Sequence, residues 1–233
     1  MAKIGWIGLG QMGTPMVENL LKGSIDVTVY NRSFDKTLPL VEKGAKNTKN
    51  VEEIFEQNDT IFFMISNYSA ALEILNENVL SKIKGKKIVN MSTISPTESK
   101  AVGKLVIENN GKYIEAPVSG SVGAATAGVL LILVGGNKAD TEDLYSIFDI
   151  LGSKTYYFGE LGKATGAKLV LNSLLGIFGE AYSEVLLLAQ NFGIDTETIV
   201  NAISDSRMSS PLFQEKKDML TNREYPAAFM LKH

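Results

Sequence analysis

The stretch "IGWIGLGQMG", residues 4–13, sets Gly8, Gly10 and Gly13 in GxGxxG spacing, directly after a strand-like apolar run and directly before a helical one. In that context each glycine has a physical role. The first allows a tight turn, the second close backbone approach to a pyrophosphate, and the third close packing of helix on strand, with the phosphates at the positive helix end. Leu9, Gln11 and Met12 fill the intervening positions and share the expected cofactor contacts. The same spacing suits any tight strand-to-helix turn, so its weight depends on the downstream pattern.

Downstream, strands and helices alternate. "DVTVYN" (26–31), "DTIFFMIS" (59–66) and "KKIVNMST" (86–93) read as strands, each succeeded by a helical pattern. Ser95, Pro96 and Glu98 form a capping-box signature for the helix after the third of these. "KYIEAPVS" (112–119), "GVLLILVGG" (128–136), a helix over "NKADTEDLYSIFDIL" (137–151) and "KTYYFG" (154–159) close the series. Such alternation predicts parallel βαβ units, an α/β fold with helices on both sheet faces. Past Gly162 the strands stop, and the spacing is helical from about Ala164 to Asn191, with a further helix from Asp195 to about Ser204. The predicted domains are therefore 1–161, which binds the dinucleotide, and 162–233, which is all-helical.

The strand ending in "VYNRS" puts Asn31 roughly 20 residues beyond Gly10, where a carboxylate normally accepts the ribose 2'-hydroxyl. Here an amide replaces the acid, and Arg32 and Ser33 come next. A guanidinium suits a 2'-phosphate that a carboxylate would repel, so NADP(H) is expected over NAD(H). Arg32 as a solvated charge at a strand end is the plainer alternative. Met64, Ile65 and Ser66 end the third strand where a dinucleotide should lie, although Met64 and Ile65 equally suit the core.

The 233 residues, 45% of them hydrophobic, suffice for a sizeable core. With 23 basic and 26 acidic residues the net charge is -3, so no nucleic-acid partner is expected. There is no cysteine, and the only histidine is His233. No metal site is expected, and proton transfer is left to Lys, Asp, Glu or Tyr. No secretory leader is read at the N-terminus, and the cytoplasm is the expected location. Lys168, Asn172, Glu180 and Glu184 interrupt the apolar run at 168–189, and "VLLILV" (129–134) is too short to span a bilayer; both read as buried interior with no membrane partner.

Within that run, "GELGKATGAKLVLNSLLG" (159–176) places Lys168 and Asn172 one helical turn apart, so both point into the same space. A snorkelling surface lysine is one reading; an acid/base lysine with an amide partner is the other. Tyr156 and Tyr157 read as packing residues, and Phe229 and Met230 as either pocket lining or core.

Four stretches together resemble the β-hydroxyacid dehydrogenase family: "GWIGLGQMGTPMVENLL" (5–21), "NMSTISP" (90–96), "EAPVSGSVGAATAGVLLILVGG" (115–136) and "GKATGAKLVLNSLLG" (162–176). The resemblance implies a Rossmann-type doubly wound sheet, a long interdomain helix and an all-helical domain that assembles into a homodimer or tetramer. It implies hydride transfer between a nicotinamide and a small carboxylate substrate, a hydroxyacid or aldehyde-acid. By motif position Lys168 corresponds to the general acid/base, and Asn172, Ser119, Gly120 and Ser121 to substrate-binding positions. Thr93 corresponds to a cofactor contact near the nicotinamide, and Lys232 to a cofactor-side lysine. The "NRS" variant resembles NADPH-dependent reductases of glyoxylate or succinic semialdehyde. The family's helical domain continues past the equivalent of "FMLKH", so a domain short relative to the family, or an inactive cofactor-binding homologue, is one expectation. An imine reductase is another, though Lys168 stands where that subfamily usually has a different residue. Leu171 stands where 6-phosphogluconate dehydrogenases carry a histidine.

Overall fold

A computed structural model describes residues 3–225. In chain order the strands and helices are β1 (Lys3–Ile7), α1 (Gly13–Lys22), β2 (Asp26–Tyr30), α2 (Leu38–Val41), β3 (Lys46–Asn47), α3 (Val51–Gln57), β4 (Thr60–Phe63), α4 (Tyr68–Ile74) and α5 (Glu77–Leu80). They continue with β5 (Lys87–Asn90), α6 (Pro96–Glu108), β6 (Lys112–Glu115), β7 (Val118–Ser119), α7 (Val122–Ala127), β8 (Leu130–Gly136), α8 (Tyr145–Leu151), β9 (Gly152–Gly159), α9 (Lys163–Asn191), α10 (Thr196–Asp205) and α11 (Pro211–Asn222). The sheet runs β3-β2-β1-β4-β5-β6-β8-β7, with β9 also paired to β8. β1 to β6 are mutually parallel, and the strand order reverses direction between β1 and β4. Ligands bind outside the carboxyl ends of the strands at such a switch point.

Side-chain alternation along the strands divides the apolar residues between two faces. In β4, Phe62 joins a cluster with Trp6, Met16, Leu20, Val89 and Phe148, while Ile61 and Phe63 join Ile7, Phe55, Ile88 and Val106 on the other side. Burying each such side chain is worth roughly 1.5–3 kcal/mol. Trp6 and Phe62 stack with centroids 5.5 Å apart. α6 starts on the predicted capping box: Glu98 N–H donates to Ser95 Oγ (3.2 Å) and Ser95 N–H to Glu98 Oε2 (2.8 Å).

Beyond the unread β3 and α11, the structure departs from the sequence reading at several points. "KYIEAPVS" is two strands, and β7 and β6 both pair antiparallel with β8. The link from β7 to β8 is the single short helix α7, too little chain for a parallel crossover. "NKADTEDLYSIFDIL" forms two 3-10 turns, Lys138–Asp140 and Glu142–Leu144, before α8; Thr141 Oγ1 donates back to Lys138 O (2.8 Å) and interrupts a continuous helix. The segment 129–134 is largely buried as expected, but α9 is not: Val170 is 69% exposed and Ile177 60%. α9 is long and apolar enough to cross a bilayer by length and composition alone.

The chain divides into two compact units, Met1–Leu171 and Asn172–His233, and the division falls inside α9. In the second unit Asp195 caps α10 by accepting from Thr198 N–H (2.9 Å), and Ser210 caps α11 by accepting from Phe213 N–H (3.0 Å). Leu186, Val200 and Phe213 form its small core, with Tyr182 against Phe213 at 4.9 Å.

Candidate active site

The glycine turn is held from three sides. Gly8 N–H donates to Tyr30 O (3.0 Å), Trp6 Nε1 donates to Gly8 O (3.0 Å), and Leu9 N–H donates to Asn31 Oδ1 (3.0 Å). Gly8 has φ 103°, and a Cβ there would lie 2.2 Å from Met64 O; a Cβ on Gly13 would lie 2.1 Å from Gly8 O. These two glycines are therefore fixed by backbone packing. A Cβ on Gly10 meets nothing within 4 Å, so Gly10 faces open space at the N-terminus of α1. That is the cradle a pyrophosphate requires: room for close approach beside the orphan N–H groups of a first helical turn. The residues present fit a dinucleotide.

The other predicted cofactor residues gather at the same sheet edge. Asn31, Arg32 and Ser33 come after β2, Met64 to Ser66 after β4, and Thr93 after β5. Asn31 is more structural than expected. Its Oδ1 ties β2 to the glycine turn and its Nδ2 donates to Ser33 O (2.9 Å), while Arg32 stays exposed beside it. A buried polar network unnoticed in the sequence shapes the loops bearing Ile65 and Thr93. Ser92 Oγ accepts from Ile65 N–H (2.9 Å), Asn90 Oδ1 accepts from Ser92 N–H (3.0 Å), and Asn90 Nδ2 donates to Tyr113 Oη (2.9 Å), which also bonds Ser99 Oγ (3.2 Å). Burial pushes the Tyr113 phenol well above its usual pKa, so it stays neutral.

Ser119 ends β7 and is half-buried. Gly120 is next, with φ 146°, and Ser121 Oγ accepts from Ala124 N–H (3.4 Å) as the cap of α7. The Ser121 hydroxyl is thus partly engaged in local structure, leaving Ser119 Oγ as the freer hydroxyl of the turn. Lys168 lies in the second turn of α9 and is 9% exposed. Among the described residues no carboxylate pairs with its ammonium, and burial lowers its pKa below the ordinary lysine value. Asn172, half-buried, lies one turn further along the same helix. Lys232, Phe229 and Met230 lie outside the described residues.

One acid escaped the sequence reading. Glu115, the last residue of β6, is fully buried and accepts from the N–H of Gly162 and of Thr165 at the start of α9. Its signal was present in "KYIEAPVS", where a carboxylate interrupts an otherwise apolar strand end.

Residues 3–159 match the family model described as the NAD binding domain of 6-phosphogluconate dehydrogenase, and residues 162–233 the one described as the NAD-binding of NADP-dependent 3-hydroxyisobutyrate dehydrogenase. Over 99% of its length the chain is 36% identical to glyoxylate/succinic semialdehyde reductase 1 of Arabidopsis thaliana, covering 81% of that protein. It is 35% identical to the chloroplastic glyoxylate/succinic semialdehyde reductase 2 of the same plant, of which it spans 65%. The solved structure of Mycobacterium tuberculosis 3-hydroxyisobutyrate dehydrogenase with L-serine matches with a TM-score of 0.88 at 22% identity, over 97% of this chain and 81% of that one, a likeness of fold.

Proposed function

Because the chain belongs to the β-hydroxyacid dehydrogenase family of NAD(P)-dependent oxidoreductases acting on CH–OH groups, we propose that it interconverts a short aldehyde-acid and its hydroxyacid with NADP(H), using Lys168 as general acid/base. The substrate class is that named for the two plant relatives, glyoxylate or succinic semialdehyde, whose hydroxyacid counterparts are glycolate and 4-hydroxybutyrate, with 3-hydroxyisobutyrate, the counterpart of methylmalonate semialdehyde, as a further hydroxyacid of the class. The observation that carries the reading is Lys168 itself. A lysine buried to 9% exposure with no paired carboxylate among the described residues is destabilising, and such groups concentrate where chemistry needs them.

The glycine turn would hold the pyrophosphate against α1, Arg32 and Ser33 would take the 2'-phosphate, Met64 to Ser66 would line the cofactor edge, and Thr93 would contact the cofactor near the nicotinamide. When bound, NADPH supplies the hydride that reaches the carbonyl carbon. Lys168 donates a proton from its ammonium to the carbonyl oxygen as the C–H bond forms, and its charge stabilises the developing alkoxide. In the reverse direction neutral Lys168 takes the hydroxyl proton, which its lowered pKa favours. Ser119 Oγ and the N–H groups of Gly120 and Ser121 would donate to the substrate carboxylate, and the Asn172 amide would orient the substrate.

The near-balanced charge favours a small-molecule substrate over nucleic acid, and the reaction is proposed for the cytoplasm. The exposed apolar side chains of α9 support a homodimer or tetramer. The test monitors NADPH absorbance with glyoxylate, succinic semialdehyde, methylmalonate semialdehyde and a cyclic imine. Turnover of at least one acid is expected; turnover of the imine alone, or tight NADPH binding with no turnover, would contradict the proposal.

A further inference from the structure

The helix that carries Lys168 is capped from a distant part of the chain. Gly162 is its N-cap residue, with its carbonyl accepting from Gly166 N–H (3.0 Å). Its φ of 92° is a conformation that favours glycine, so a local Ser, Thr or Asp cap would be strained there. Glu115 supplies the missing acceptors from the end of β6. Its Oε1 accepts from Gly162 N–H (2.6 Å) and the Thr165 hydroxyl (3.4 Å), and its Oε2 accepts from Thr165 N–H (3.3 Å). Thr165 is the third helical residue, whose N–H a cap side chain ordinarily takes. β8 makes room for this arrangement with Gly135, where a Cβ would lie 2.9 Å from Glu115 Oε2 and 3.0 Å from the Ala164 Cβ.

A buried carboxylate is costly to hold, and a neutral side chain could accept one of these bonds. The second carboxylate oxygen and the full charge are what a helix N-terminus gains from Glu115. Thr165 and Lys168 are three residues apart and share a helix face, so the first turn, which Glu115 grips, directly supports the second turn from which Lys168 projects. We propose that Glu115 is a positioning residue for Lys168, fixing the rotation and height of the first turn of α9 on β6 and β8 so that the ammonium stays buried at its working position. This rests on the acid/base role proposed for Lys168.

The test combines competitive lysine acetylation, read peptide by peptide by mass spectrometry, with steady-state kinetics on the aldehyde-acid that the wild type reduces. In Glu115→Gln an amide N–H₂ faces a backbone N–H, so one bond is lost at constant size. Lys168 should acetylate about tenfold faster, with Lys86 as an unchanged internal control. The kcat should fall by about the same factor while the KM for NADPH stays fixed, and Glu115→Asp, which keeps both acceptors, should recover most of both. Unchanged Lys168 reactivity in a Glu115→Gln protein that still binds NADPH overturns the proposal. If that variant fails to bind NADPH, Thr165→Val decides, with a smaller acceleration expected and none overturning it. The acetylation readout needs no substrate. If Lys168→Ala retains turnover although Glu115→Gln exposes Lys168, the catalytic reading fails and the positioning one stands.

Discussion

The role proposed for Lys168 trades stability for chemistry, and the sign of that trade can be measured. Its folded pKa lies below the ordinary 10.5 because burial disfavours the charged form. Between the folded and unfolded pKa values the unfolded chain binds more protons, so stability contributed at this site rises with pH through that window, and the full penalty applies below it. Lys168→Met should therefore abolish turnover yet raise stability at neutral pH by about 0.5–2 kcal/mol, read by urea unfolding; a destabilised Met variant would count against burial as the cause. The catalytic consequence has the matching direction. Reduction needs the ammonium, so its rate should fall as pH rises through an inflection below 10.5, and oxidation should rise through the same inflection. Arg32 makes a separate claim: Arg32→Ala should reduce the NADPH-over-NADH preference at least tenfold, about 1.4 kcal/mol or more, and a wild type preferring NADH would refute the role given to Arg32.

The glycine turn between β1 and α1 separates packing from binding. In Gly8→Ala the new Cβ collides with Met64 O at a φ of 103°, so a cost of about 1–3 kcal/mol and weakened NADPH binding are expected together. Gly10→Ala meets nothing. Its melting temperature should hardly move while NADPH affinity falls about tenfold or more, as measured by fluorescence titration; unchanged affinity would place the pyrophosphate elsewhere. β1, β2, β4, β5 and β6, the capping box of α6 and the extent of α9 were legible because each obeys a local rule: apolar runs, Ser-Pro-x-Glu, and helical spacing without a breaker; the two-residue β3 has no apolar run and was not read. The antiparallel β7–β8 pairing was not, because it depends on how little chain α7 provides. α11 was missed although Ser210 and Pro211 announce it, since its amphipathic pattern is weak. Among site residues the glycines, Arg32 and Lys168 stood out from their sequence surroundings. The joining roles of Asn31, Ser92 and Glu115 emerge only when distant strands are brought side by side.

The apolar residues of α9 were expected to be buried, yet Val170, Leu174, Ile177, Leu187 and Leu188 are exposed in the single chain. Exposed apolar side chains of this kind support the proposed assembly into a homodimer or tetramer. Sedimentation equilibrium should give two or four times the chain mass, and a monomer at micromolar concentration would refute the proposed assembly. The proposed reaction requires one buried lysine to perform a proton transfer that the cofactor-binding edge of the sheet does not supply. The most direct measurement is therefore Lys168→Ala, assayed for NADPH-dependent reduction of the aldehyde-acid and, on the same preparation, for NADPH binding by fluorescence. The expected result is a loss of kcat of about 10²–10⁴-fold with NADPH affinity unchanged. Turnover within a few-fold of wild type would contradict the assignment of Lys168 and the mechanism built on it.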